Sequence, residues 1–136
     1  MNAAGSVFLA WLLAQLYKAG DTFNKTGVWK WKALLENGGM PSAHASVVAA
    51  LSLTVFLETG FSLLFVVSVV FSLIVLNDAL KVRRQASVHA SLLSELLGKK
   101  RKRRSALSSS LGHTPTEVAV GLVLGMLVTW LMYTLG

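Results

Sequence analysis

The 136 residues include no cysteine, which excludes disulfides and thiolate metal sites and leaves the redox compartment unread. Charge is also scarce: 14% of residues carry one, and the six acidic residues are outnumbered by thirteen basic ones, for a net +7. A disordered basic tail would need low hydrophobicity, yet 54% of this chain is apolar. A water-soluble nucleic-acid binder is excluded too, because the apolar residues come in blocks too long for an amphipathic surface. Phe61 to Leu76 is interrupted only by serine, and Glu117 to Gly136 is twenty residues with no charge after the first. A run near twenty apolar residues crosses the roughly 30 Å hydrocarbon core as a helix. The length suits one domain, so residues 1–136 are expected to form a single membrane-embedded domain. Met1 to Gly5 carries no Lys or Arg and no convincing small-residue cleavage site follows, so the first apolar stretch is expected to be a retained helix.

The expected fold is all-α, a polytopic bundle of about four spans: Ala3–Ala19, Ala45–Leu57, Phe61–Leu80 and Glu117–Leu135. Glu58, Thr59 and Gly60 form the tight turn of a hairpin between spans two and three. The second span is short and reaches full length only if Pro41–His44 belongs to its first turn. The basic residues set the orientation. The segment Lys18–His44, from the end of span one to span two, carries four (Lys18, Lys25, Lys30, Lys32), and the segment Lys81–Thr116 carries nine (Lys81, Arg83, Arg84 and Lys99–Arg104). That accounts for all thirteen. Alternating spans put both segments on one side, which the positive-inside rule makes cytoplasmic, with both termini outside. All three histidines, Asp78 and Glu117 fall at the same face. Such a rim suits an anionic substrate, although the same residues also read as ordinary loop positions.

Gly38-Gly39-Met40-Pro41-Ser42-Ala43-His44 stands where span two begins. The two glycines let backbone approach a ligand closely, and proline suits the first helical position. The unpaired N–H groups of a helix start bind phosphate, and His44 on the first turn reaches the same spot. The competing account is a loop and a capped helix, with Ser42 as N-cap and His44 merely interfacial. Leu111-Gly112-His113-Thr114-Pro115-Thr116-Glu117-Val118 opens span four in the same manner. His113 and Glu117 are four apart, so the carboxylate can hold the imidazole in one tautomer, as a nucleophile or general base requires. Thr114 and Glu117 also spell a capping box with Pro115 at N1, and one carboxylate is not expected to serve both roles fully.

Together these segments resemble the type 2 phosphatidic acid phosphatase and vanadium haloperoxidase superfamily. Pro41-Ser42-Ala43-His44 is close to its Pro-Ser-Gly-His motif, and Gly112 to Gly121 is similar to its third motif, in which His is followed by Pro, an acidic residue with Val, and Gly. The closer likeness is to the superfamily's divergent branch of small membrane proteins. That branch's ordered pattern appears as Gly38 to His44, Asp78-Ala79 with Val82-Arg83-Arg84, and Gly112 to Pro115. Ala14-Gln15 and Lys18 at the end of span one match it as well. The resemblance implies metal-independent phosphoryl transfer from a lipid phosphate. His113 would attack phosphorus, oriented by Glu117; His44 would protonate the leaving alkoxide and then activate water. Lys18, Arg83 and Arg84, with Ser42 and the helix-start amides, would neutralise the phosphoryl oxygens.

Several positions depart from the superfamily pattern. Lys25 and Lys32 have the spacing of its first motif, but Lys32 stands where arginine is usual and Ala33 where proline is. Lysine is a point charge without arginine's bidentate fork. Leu107 occupies the place of the third motif's arginine, so that charge must come from Arg83, Arg84 or Arg104. His89 and Ser94 replace the Gln and Asn of the divergent branch.

Asp78 at the end of span three either positions Arg83, Arg84 or a metal, or solvates a helix end. His89, in the helix-like run Ser87–Leu97, reads as part of an interfacial amphipathic helix. Lys99–Arg104 is read as a patch attracting anionic lipids, at about 1 kcal/mol per residue, or as a topology signal, rather than a nucleic-acid site. Gly121 and Gly125 form a G-x-x-x-G that fits either packing inside the bundle or a homodimer seam. Trp29 and Trp31 beside Lys30 and Lys32 read as a headgroup-level piece.

The expected function is hydrolysis of a lipid phosphate or diphosphate at the cytoplasmic face, with phosphatidylglycerol phosphate, phosphatidate and isoprenoid phosphates all chemically acceptable. No cofactor or bound metal is expected; a Mg²⁺ dependence would point instead to Asp78 or Glu117. The alternatives are a non-catalytic lipid-phosphate binder or transporter, and a purely structural helical subunit.

Overall fold

A computed structural model describes residues 3–27, 39–82, 85, 88, 89, 92 and 113–135. Lys32, Arg83, Arg84, the Trp29–Trp31 piece and the Lys99–Arg104 run lie outside these residues, as does the side chain of Lys25. The fold is an all-α membrane bundle, and its main helices among the described residues are α1 (Ala3–Thr26), α2 (Ala43–Thr59), α3 (Leu63–Asn77) and α4 (Pro115–Leu135). A π-helical turn, Asp78–Val82, extends α3.

The expected spans sit on these helices with shifted ends. α1 runs past Ala19 to Thr26, and its last turn closes through Gly27 N–H donating to the Phe23 carbonyl at 2.8 Å. α2 continues through Glu58 and Thr59, so the hairpin turn is Gly60–Ser62, where Ser62 caps α3 by accepting the Phe65 N–H. At 1.5 Å per residue the 17 residues of α2 reach about 26 Å, less than the hydrocarbon thickness. Leu63–Lys81 and Pro115–Leu135 are long and apolar enough to cross it.

α2 is the hub, packed against α1, α3 and α4, and α1 also meets α4. α2 and α4 run parallel, so their starts lie at one end of the bundle. In lipid no apolar surface is withdrawn from water, so close packing and interhelical hydrogen bonds hold the helices together. The core is accordingly made of small side chains such as Ala10, Ala14, Ala45 and Ala50, all fully buried. Ser6 bonds Thr54 at 2.9 Å between α1 and α2, Ser52 bonds Ser72 at 2.8 Å between α2 and α3, and Thr129 donates to the Ala50 carbonyl at 3.4 Å between α4 and α2. Each such bond contributes about 0.6 kcal/mol.

The G-x-x-x-G of α4 is spent on α2. A Cβ at Gly121 would collide with the Ser42 carbonyl oxygen and lie 2.9 Å from the Ala45 Cβ; one at Gly125 would collide with the Ser46 carbonyl and lie 3.0 Å from the Ala49 Cβ. Ser42, Ala45, Ser46 and Ala49 are the small-residue counterpart on α2. The two motif-bearing helix starts are thereby clamped side by side.

Candidate active site

Ser42 begins α2. Its hydroxyl accepts the Ala45 N–H at 3.3 Å, so the first helical residue is Ala43 and Pro41 precedes the cap instead of forming the first turn. Ser42 is fully buried, its N–H donates to the Glu117 carbonyl at 3.0 Å, and its own carbonyl accepts the Ser46 hydroxyl at 3.0 Å. With these bonds made, Ser42 does not line the cavity described below. These bonds make it the cap of α2 and a clamp onto α4.

Thr114 begins α4 in the same way. Its hydroxyl accepts the Glu117 N–H at 3.3 Å, and Glu117 Oε2 accepts the Thr114 N–H at 3.1 Å, a reciprocal capping box ahead of Pro115. The same Oε2 lies 3.1 Å from His113 Nδ1. One carboxylate oxygen therefore serves the cap and the histidine together, contrary to the expectation that the two roles compete; a carboxylate oxygen has two lone pairs, and the two donors share them. An Nδ1–H donated to this oxygen would leave Nε2 as the basic nitrogen of the neutral ring. The His113 side chain is 2% exposed, and its backbone N–H donates to the Ala79 carbonyl at 3.3 Å, tying the start of α4 to the π-turn.

Between α1, α2 and α3, next to the start of α4, lies a cavity of about 220 Å³. Its polar lining is Gln15, Lys18, His44 and His113, and Trp11 and Phe71 form much of its apolar wall. The ring centroids of His44 and His113 are 6.2 Å apart, with an interplanar angle of 59°. The volume is below the roughly 300–1,000 Å³ of pockets that enclose a drug-sized ligand, so among the described residues it has room for a small polar group. Lys18 is 7% exposed, and an ammonium set in a low-dielectric wall acts on an anion more strongly than it would in water. Gly39, at φ +82°, carries the loop over the Lys18 stem, where its absent Cβ would sit 3.8 Å from Lys18 Cγ.

Of the residues singled out from the sequence, Lys18, His44, His113 and Glu117 are brought together. Asp78 stands apart from the cavity lining, at the α3–π junction, where its N–H donates to the Ile74 and Val75 carbonyls. His89 is exposed. Arg83, Arg84, Lys32 and the Lys25 side chain lie outside the described residues. Trp11 and Gln15 were not expected in the site. The signal was present in the spacing: positions 11, 15 and 18 are separated by four and three, which puts them on one face of α1 with Lys18.

Three comparisons bear on this geometry. The family model described as the divergent PAP2 family matches residues 3–128. An uncharacterised membrane protein of Bacillus subtilis (strain 168), YuiD, is 34% identical over 140 aligned residues, covering 91% of this chain and 89% of that protein. No solved structure matches the chain.

Proposed function

The chain belongs to the divergent PAP2 family, and on that premise we propose that it is an integral membrane lipid phosphatase acting through a phosphohistidine. One observation carries the proposal: two histidines from separate helix starts border the same cavity, one of them held by a carboxylate at 3.1 Å. In the first step His113 Nε2 attacks phosphorus, the bond from phosphorus to the lipid oxygen breaks, and His44 gives its proton to the departing alkoxide. In the second step His44 takes a proton from water, the water oxygen bonds to phosphorus, and the phosphorus–nitrogen bond breaks, returning the electron pair to Nε2. Glu117 stabilises the positive charge that His113 carries in the intermediate. Lys18 balances the phosphoryl charge, joined by cations of the 83–84 pair, and the apolar rim of Trp11 and Phe71 meets the first methylenes of the lipid. The histidine nucleophile needs no metal. Phosphatidylglycerol phosphate, phosphatidate and isoprenoid phosphates all present the required phosphoryl group.

The site faces the cytoplasm in this proposal, because the thirteen basic residues fall on the side of the two motifs. Bacterial membrane vesicles test both statements at once. Inverted vesicles given a water-soluble short-chain lipid phosphate and a metal chelator should release inorganic phosphate, right-side-out vesicles should do so only after permeabilisation, and His113→Ala should abolish release in both. Headgroup binding without turnover in the wild type would instead make the chain a lipid-phosphate binder.

A further inference from the structure

Among the described residues, Gln15 in the cavity wall has a side-chain atom whose hydrogen bonding is left incomplete. Its Oε1 is buried and has no partner among the described residues, although most buried polar atoms in folded proteins are paired. Gln15 lies one turn before Lys18 on α1 and lines the cavity with both histidines. A side-chain carbonyl oxygen can only accept, so what completes it must bring a hydrogen. Lys18 supplies charge to the substrate phosphate, and a dianionic phosphoryl group has no hydrogen to offer. In a hydrolytic cycle, the species that enters carrying O–H hydrogens is the water of the second step.

We propose that Gln15 positions the hydrolytic water: its Oε1 accepts one hydrogen of the water while His44 takes the other as a proton. The water oxygen bonds to phosphorus as the phosphorus–Nε2 bond of His113 breaks. The hydrogen held by Gln15 stays on the new oxygen and leaves as part of the product phosphate. Two acceptors, an imidazole and an amide oxygen, fix both hydrogens and so aim a lone pair at phosphorus, which a single base would leave free to rotate. The first step has no water in it, so Gln15 matters to the second step alone. The assignment rests on the phosphohistidine scheme and adds a residue to it.

The test separates the two products. Purified protein in detergent is mixed with a short-chain lipid phosphate, and released alcohol and inorganic phosphate are followed separately by rapid quench. In Gln15→Leu, alcohol should appear as a burst of about one equivalent per site and phosphate release should slow on the order of 10²-fold, the loss typical of a misplaced reactant. Phosphohistidine should accumulate on the variant. Gln15→Glu, which keeps an acceptor oxygen at that place, should restore phosphate release toward the wild-type rate. Helix content and thermal unfolding of both variants should match the wild type.

If alcohol in Gln15→Leu appears without a burst, as slowly as phosphate from the first turnover, or if Gln15→Glu is as slow as Gln15→Leu, the assignment to water is overturned while the phosphatase scheme stands. A loss confined to lipid phosphates bearing a hydroxyl near the phosphate would also overturn it, by assigning Gln15 to the substrate. A wild type that releases neither product overturns the phosphatase scheme itself, and the role of Gln15 with it.

Discussion

At Glu117 the capping box and the hold on His113 converge on one oxygen atom, Oε2, so truncating the side chain removes both at once. Glutamine separates them. Glu117→Gln keeps a carbonyl oxygen for the Thr114 N–H but no negative charge to stabilise an imidazolium. It should unfold thermally within about 1 kcal/mol of the wild type, while phosphate release falls on the order of 10²-fold or more. Glu117→Ala should lose a further 1 kcal/mol or so of stability with the cap. Unfolding in detergent and phosphate release on the same preparations check both. Wild-type turnover in Glu117→Gln would reduce the carboxylate to a cap. The sequence made both roles of Glu117 legible, because Thr114-x-x-Glu117 and His113-x-x-x-Glu117 are local spacings on a helix start. That one oxygen serves both was not legible, since it depends on the ring of His113 turning back over the first turn. Gln15 was less visible still. The spacing of Trp11, Gln15 and Lys18 puts it on the face of Lys18, but its incomplete bonding exists only once α1 meets α2 and α3.

Among the helices, α3 has its polarity reversed relative to a helix of a water-soluble protein. Ser68 and Ser72 are its buried residues, while Leu63 is 80% and Ile74 63% exposed. The serines face α2 because a hydroxyl in hydrocarbon needs a partner, and the leucines face outward because lipid accepts them. In the sequence those serines look like interruptions of a span; in the bundle they mark its inner face. The glycines of α4 teach the same lesson. Their spacing announces close approach but not the partner, and only the packed helices show that Ser42 and Ser46 occupy the space. Gly121→Ala and Gly125→Ala should each lower stability by about 1–3 kcal/mol, the usual range for overpacking, because the obstacles are backbone carbonyls. Gly20→Ala, within α1 and with nothing within 4 Å of its Cβ position, should be neutral or stabilising by up to about 1 kcal/mol. Thermal unfolding in detergent reads the contrast. If Gly121→Ala melts with the wild type, the close apposition of the two helix starts is wrong.

On the scale of the whole molecule, the candidate site is assembled from positions far apart in the chain: Gln15 and Lys18 on α1, His44 on α2, and His113 with Glu117 on α4. Two backbone hydrogen bonds fasten the pieces, Ser42 N–H to the Glu117 carbonyl and His113 N–H to the Ala79 carbonyl. Four helical segments and the two motif-bearing helix starts could be read from apolar run length, capping residues and motif order. Helix ends were misplaced by several residues, because caps and the π-turn are settled by hydrogen bonds that composition does not encode. The central claim is that His113 and His44 work on one phosphorus atom, His113 as nucleophile and His44 as acid and then base. Capture of the intermediate tests it most directly: purified protein is given a phosphorus-labelled lipid phosphate, quenched in alkali, and the labelled peptide is located by mass spectrometry. The account predicts label on His113, none in His113→Ala, and slower loss of label in His44→Ala, where the base for the second step is gone. Undiminished turnover in His113→Ala, or label on another side chain, would contradict it.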